Sequence, residues 1–446
     1  MDMSRVFLVV LLAFAAVVWL STPVAAATCT AVAFDGQTPP DTTNSLSTAF
    51  DIEAGVNTSG DVVFVAKPTG TGEFDRLYLY PAGSAAGGIV VAKGGGPAPG
   101  GKVFATSTAA FRAASINDSG DVGFSGVQNT FGRGIFVRRA GALQLAADKT
   151  VSAPSPFVGE TFATFQAVSL INSNSQIVFI ATTSGGTKGV FGYESVSDAL
   201  FTLVLPGDTT SNTPSHVVCG FSSVGLSSTS ALVVRGTTAD TNCATEPLVS
   251  TIFYSDGSTV TEIARVGDAN FPSPALPPTN GKLYTAFGPG VFMNSANNIS
   301  FRADVGGLTH LFLFDPITST TRTLEFEGEQ SGLGSGGTLA PSLMYRLADT
   351  DNVVLDANIK NNPAALEGFF SASDAAVTPI PLVTRPDTPP ATNTPSQKYS
   401  QFQNNTFLGL ELGMGIAADS SRLAFRASIL DTAGHVRQAV LSCTLP

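Results

Sequence analysis

The chain is poor in charge, in histidine and in tryptophan, and each shortage removes a class of function. Charged residues are 13% of the 446 positions, with 23 Lys and Arg against 34 Asp and Glu, for a formal net charge of -11. Phosphate backbones and anionic membrane surfaces are held by clustered basic side chains, so nucleic acid and membrane are excluded as partners. The one tryptophan, Trp19, lies in an apolar leader, which leaves no indole on which a sugar ring could stack. Three histidines, His216, His310 and His435, are too scattered for a metal centre and read as surface or loop residues. No G-x-S-x-G elbow marks a nucleophile. No catalytic residue, metal ligand or cofactor is assigned from the sequence.

What is present begins with the leader. Arg5 precedes an apolar run from Val6 to Leu20, and Val24-Ala25-Ala26-Ala27 supplies small residues for cleavage. Residues 1–27 read as a secretory signal, too short and wrongly flanked for a membrane anchor. Cys29 raises a lipoprotein reading, but Ala26-Ala27-Thr28 is a poor lipidation context, and a soluble exported protein is expected. The remainder, 28–446, exceeds what one compact core usually holds unless the core is shared along a repeat array.

Such a repeat is there. Asn57-Thr-Ser-Gly-Asp-Val-Val-Phe-Val-Ala66, Asn117-Asp-Ser-Gly-Asp-Val-Gly-Phe-Ser-Gly126 and Asn172-Ser-Asn-Ser-Gln-Ile-Val-Phe-Ile-Ala181 are the clearest of seven copies. Weaker ones end at Gly236, Ala303, Ala357 and Ala427. The marker residues Phe64, Phe124, Phe179, Val234, Phe301, Leu355 and Phe425 are spaced too irregularly for a solenoid of constant rise. Within the second unit four short runs alternate with turns: Phe111–Ile116, Val122–Gly126, Gly134–Val137 and Leu143–Ala146. Four antiparallel strands per unit make the blade of a β-propeller, here with seven blades. Val62, Phe64 and Ala66 face one side of their strand and Val63 and Val65 the other, as a sheet packed between two sheets requires. The small residue two places after the marker is expected where blades approach closely, and Asn and Gly are expected to supply left-handed turn conformations.

The seventh unit lacks a fourth strand, and Thr30-Ala-Val-Ala-Phe-Asp-Gly36 matches the fourth-strand pattern. The N-terminus is therefore expected to complete the last blade, within a single propeller domain over 28–446. That places Cys29 beside Cys443, and leaves Cys219 and Cys243 of unit four as the second disulfide pair.

In such a ring the first-to-second turns share one rim, and the second-to-third loops and blade connections share the other. The second set varies in length, and binding is expected there: Lys67 to Arg76, Gly94 to Gly101, Thr237 to Ser250, Phe271 to Gly281, Gly328 to Leu339, Asn358 to Glu367 and Arg385 to Ser396. Gly96-Pro-Ala-Pro-Gly-Gly-Lys-Val103 nearly spells a phosphate loop, but Val103 offers no hydroxyl and strand-like sequence follows. Asp349-Thr-Asp351-Asn352 hints at calcium, yet Val354 and Lys360 replace its glycine and closing Glu, so a motif turn is expected. Arg235, Arg302, Asp356 and Arg426 follow the marker in four successive units, and pairing between packed blades is expected of them. Glu73, Asp75, Glu325, Glu327 and Glu329 are the pool for a glycosidase-type acid pair, which no spacing rule singles out.

The string Ile116-Asn-Asp-Ser-Gly-Asp-Val-Gly-Phe-Ser-Gly126, with Gly134-Ile-Phe-Val137, resembles the N-x-x-G-x-V-x-F-x-A repeats of a group of exported bacterial proteins of unknown function. The resemblance covers essentially the whole mature chain, but its motif is structural and transfers no functional residue. Members often bear a C-terminal sorting tail, and its absence here implies a secreted or periplasmic protein rather than a surface-anchored one. The expectation is an exported, monomeric, non-catalytic binding propeller with an unknown protein or glycan ligand on the loop rim. The alternative is a secreted glycan lyase or hydrolase with carboxylates at the central channel.

Overall fold

The computed structural model describes residues 27–445 apart from 84–87, 108, 169, 271–280, 334–335, 363–366, 374–378, 386–397, 403–404, 408–409, 413 and 431–435. The signal segment and His435 lie outside the described residues, as do most of two variable loops, 271–280 and 386–397. Seven antiparallel sheets form the ring. Blade one runs from Leu46–Val56, the innermost strand, through Val62–Pro68 and Arg76–Tyr80 to Ile89–Lys93 at the outside. Blades two to six repeat that order over residues 111–147, 162–204, 217–265, 282–326 and 338–385.

Blade seven is assembled from both ends of the chain. Arg422–Leu430 pairs with Val436–Thr444, and Val436–Thr444 pairs with Thr28–Phe34 as the outermost strand. Cys29 is the register partner of Cys443, and a disulfide joins them. A second disulfide joins Cys219, in the innermost strand of blade four, to Cys243 in the loop between the second and third strands of that blade. Each innermost strand bulges at about the same level, as between Phe50 and Ala54 or between Phe287 and Val291. In blade seven this irregularity is an inserted hairpin. Lys398–Phe402 and Met414–Ile416 both pair with Arg422–Leu430, and between them Asn405–Phe407 pairs with Leu410–Leu412. The second arm of the hairpin touches the innermost strands of blades one, five and six, so it enters the central channel.

Phenylalanine explains the core. The marker faces an aromatic of the third strand in blades one, two, three and five: Phe64 with Tyr78, Phe124 with Phe136, Phe179 with Phe191 and Phe301 with Phe312, at centroid distances of 5.3–6.0 Å. An innermost-strand ring completes the cluster, as Phe111 does for Phe124. The small residue leaves room for these rings and for the bulge. A Cβ on Gly126 would lie 3.0 Å from the Phe104 ring, and one on Gly236 only 2.1 Å from the Gly220 carbonyl in the same blade. The close approach is thus made largely by rings and by the blade's own inner strand.

The motif turn works differently from the sequence expectation. Its positive φ falls on the fourth residue, Gly60, Gly120, Ser175, Ser230, Asn297, Asp351 and Ser420, and the leading Asn is not left-handed. That Asn folds its own turn instead. Asn117 Oδ1 accepts the amide N–H groups of Ser119 and Asp121 at 3.1 and 2.9 Å, and Asn172 and Asn294 do the same in their turns. The amide nitrogen then reaches the next blade, donating from Asn57 to the Asn117 carbonyl, from Asn117 to Asn172, from Asn172 to Ser227 and from Asn294 to Ala348. Elsewhere other groups span the gap: Thr229 to Asn297, the Asp349 amide to the Ala418 carbonyl, and Arg422 to the Thr58 carbonyl. A belt of hydrogen bonds therefore follows the whole motif-turn rim.

Candidate binding channel

Inside that belt the channel opens into a cavity of about 170 Å³, lined by all seven blades. Its wall is mostly apolar, with Val56, Ala113, Ile171, Leu226, Met293 and Met414 among the contributors. Its lip is short and polar: Asp118, Ser173, Ser228, Ser295 and Asp349 are second residues of their turns. Gly415 and Gly55 let the inner strands meet almost backbone to backbone, since a Cβ on Gly415 would lie 2.7 Å from the Ala54 carbonyl. Arg346 is the buried cation of the lining, with its guanidinium 4.6 Å from the Phe292 ring and Nη1 donating to the Tyr345 carbonyl at 2.9 Å. Asp118 and Asp349 accept the amide N–H groups of Thr58 and Ser295 from the preceding blade, so both carboxylates serve the belt. The cavity opens at the motif-turn rim, opposite the variable loops on which binding was expected.

The other sequence candidates are separated by the fold. Glu73 holds buried Arg76 with Asp41 and accepts from Asn44 and Thr42, and these bonds keep its carboxyl below the ordinary range despite desolvation. Asp75 accepts the Ala110 amide, and Glu327 pairs with Lys360 at 2.8 Å. Glu329 is a turn cap in the connection from blade five to blade six. Its Oε2 accepts the Phe326 amide at 3.2 Å, as Gln37 accepts from Phe34 and Asp208 from Leu205 in equivalent connections. Burial pushes its pKa up to about 7. Glu325 is buried, and its desolvation, reinforced by the negative charge of Glu329, raises its pKa well above normal.

His216 and His310 are buried rather than superficial. His216 Nδ1 lies 3.0 Å from Glu262 at the outer edge of blade four, and His310 stacks between Phe312 and Phe326, where burial lowers its pKa. Among the described residues no three His, Cys, Asp or Glu side chains are grouped to hold a metal. Gly96–Val103 is a small hairpin, Pro97–Ala98 against Lys102–Val103 around a single 3-10 turn, with no helix to receive a phosphate. Asp351 lies in a motif turn and accepts from Asn294 and Asn298.

The position after the marker points each side chain toward the next blade. Val65, Ser125 and Ile180 occupy it in blades one to three, then Arg235, Arg302, Asp356 and Arg426. Pairing between packed blades was expected: Arg426 donates to the Phe50 carbonyl of blade one and to Gln438 Oε1 of its own blade, Arg302 lies within electrostatic reach of Glu325, and Arg235 Nε has no hydrogen-bond partner among the described residues. This level of the channel could not be read from sequence, because the bulges that expose it have no periodic signature.

A model of a family of unknown function, DUF7453, matches residues 10–310. The chain belongs to that family. No curated protein matches it. Among solved structures it is similar to an oligogalacturonate lyase in complex with manganese, at 10% identity and a TM-score of 0.48, over 95% of this chain and 98% of that one. It is similar to an oligogalacturonate lyase from Vibrio parahaemolyticus at 11% and 0.48, covering 95% and 99%. It is also similar to the periplasmic gluconolactonase of Pseudomonas aeruginosa at 11% and 0.37, covering 88% and 95%. Likenesses this distant assign no activity to this chain.

Proposed function

We propose that the protein is an exported binding propeller, one domain over 28–446, that takes its ligand into the central channel from the motif-turn rim. The observation that carries this reading is the cavity to which every blade contributes, apolar in its wall and polar at its lip. Such a lining admits a small molecule, or the end of a glycan or protein segment, past a polar lip. Export to the periplasm or the medium is supported by the two disulfides. Among the described residues no helix is long and apolar enough to cross a membrane. The working form is a monomer, in which both rims stay open.

The test is a thermal-shift screen of small molecules and oligosaccharides, run in parallel on the wild type and on Ser173→Trp, which fills the lip. Ligands that stabilise the wild type and not the variant support the reading. Ligands that bind both equally place binding on the loop rim, and turnover of a polysaccharide by the wild type would replace binding with catalysis.

A further inference from the structure

We propose that the channel's ligand is a small multivalent anion, held by cations that blades three to seven direct toward the bulge level of the inner strands; this rests on the channel reading above. Lys188 of blade three donates to the Phe221 carbonyl, on the inner strand of blade four, at 2.6 Å. Arg235 of blade four lies one strand out from that inner strand, opposite Ser223, and within electrostatic reach of Arg302. Arg302 of blade five runs over Gly288 in the bulge of its own inner strand, where a Cβ would come within 2.7 Å of its Nε. Arg346 of blade six lines the mouth itself, and Arg426 of blade seven reaches the Phe50 carbonyl on the inner strand of blade one. Five consecutive blades thus direct a cation toward the inner strands, with Arg346 lining the cavity itself, in a protein whose net charge is -11.

Three features argue that these cations serve a ligand. The fold does not need them, because Val65 and Ile180 fill the position of Arg235, Arg302 and Arg426 in two other blades. The hydrogen-bond partners of Lys188 and Arg426 among the described residues are neutral, and such partners leave most of a buried charge uncompensated. Desolvation lowers the pKa of Lys188 and Arg235, and that of Arg426 to about 10, the direction expected of cations short of counter-charge. In the bulge of blade five the Arg302 side chain fills the space beside Gly288, and the Gly290 carbonyl is fixed by the Tyr345 hydroxyl at 2.6 Å. An arc of buried and half-buried guanidinium and ammonium groups suits an anion with two or more carboxylate or phosphate groups, small enough to pass the mouth.

Isothermal titration of the mature protein at low salt, with citrate, pyrophosphate and a neutral oligosaccharide, tests this. The expected result is binding of one or both anions and not of the neutral control, weakening as salt rises. The stronger of the two identifies carboxylate or phosphate as the recognised group. Lys188→Gln and Arg235→Gln should each weaken binding about tenfold, and Arg235→Lys should retain most of it. If a Gln variant does not fold, the Arg235→Lys comparison and the salt dependence still decide. Failure of both anions to bind the wild type, or binding unchanged in Lys188→Gln and Arg235→Gln, overturns the proposal. If the balancing charge is instead the chain's own buried Asp356, at the equivalent position of blade six, Asp356→Asn destabilises the protein and neither anion binds, which also overturns it. A neutral ligand blocked by Ser173→Trp would leave the channel reading standing and remove this one. Anions that still bind Ser173→Trp but not Arg235→Gln would do the reverse.

Discussion

The residue after the repeat's marker is aliphatic or small in blades one to three, Val65, Ser125 and Ile180, and charged in blades four to seven, Arg235, Arg302, Asp356 and Arg426. The strands around it are alike in both halves, with a large apolar marker, a small residue two places on and a bulged inner partner. In the first half the seam is closed by apolar clusters, such as Val63, Val65 and Leu77 with Phe111 and Phe124. In the second half it carries charges of both signs, Arg235, Arg302 and Arg426 with Asp356. Cations reach this level in the first half as well, since Arg133 donates to Ser125 Oγ and Lys188 to the Phe221 carbonyl, so the contrast between the halves is confined to the position after the marker.

The largest expected effect lies where the two halves meet. Replacing Cys29 and Cys443 by Ser removes the covalent closure between the chain ends and should cost about 4–5 kcal/mol, read as a shift in the denaturant midpoint. Carrying the character of the second half into the first should cost nearly as much. Val65→Arg buries a charge in the blade one–two seam at about 3–5 kcal/mol. If that variant is as stable as the wild type, the halves do not differ in tolerance, and the contrast is one of sequence only. A smaller effect separates the two forms of the belt. Asn172→Ala removes a buried amide that serves its own turn and the next blade, for about 1–3 kcal/mol, whereas exposed Thr229→Ala should stay within about 0.5 kcal/mol.

A last effect is a pH slope carried by Glu329. Glu329 has a folded pKa of about 7 against 4.5 for the free side chain. An acid raised in this way stabilises the fold at and below pH 4.5, and loses that contribution as the pH climbs toward 7. Glu329→Gln should keep the turn bond, since Gln37 makes the same bond to Phe34, and should flatten that part of the profile. Urea midpoints at pH 5 and pH 8 would show it as a smaller difference in the variant than in the wild type.

The sequence revealed what is local and left hidden what is made across blades. Val62 to Ala66, Val122 to Gly126 and the N-terminal strand could be read because alternation, marker and small residue lie within ten residues of one another. The role of Asn117 could not, because its second partner is Asn172, 55 residues away. The channel mouth escaped for a similar reason. Its walls come from the inner strands, where bulges at Phe50–Ala54 and Phe287–Val291 break the alternation that identifies a strand. The charged position was visible, but its neutral partners Phe50 and Phe221 are backbone carbonyls, which no composition reports.

The lateral amide of the motif Asn has a direction. From Asn57, Asn117, Asn172 and Asn294 it always runs from a blade to its successor, so each unit carries a plug for the next and a socket for the one before. A ring built from such couplings has no privileged first member. Because Thr28 and Thr444 are already register partners, the two ends could be spliced and the chain opened in a connection between other blades without uncoupling a single joint. The order in which the blades are translated is then a historical accident of the gene, and the ring itself retains only their sequence around the circle.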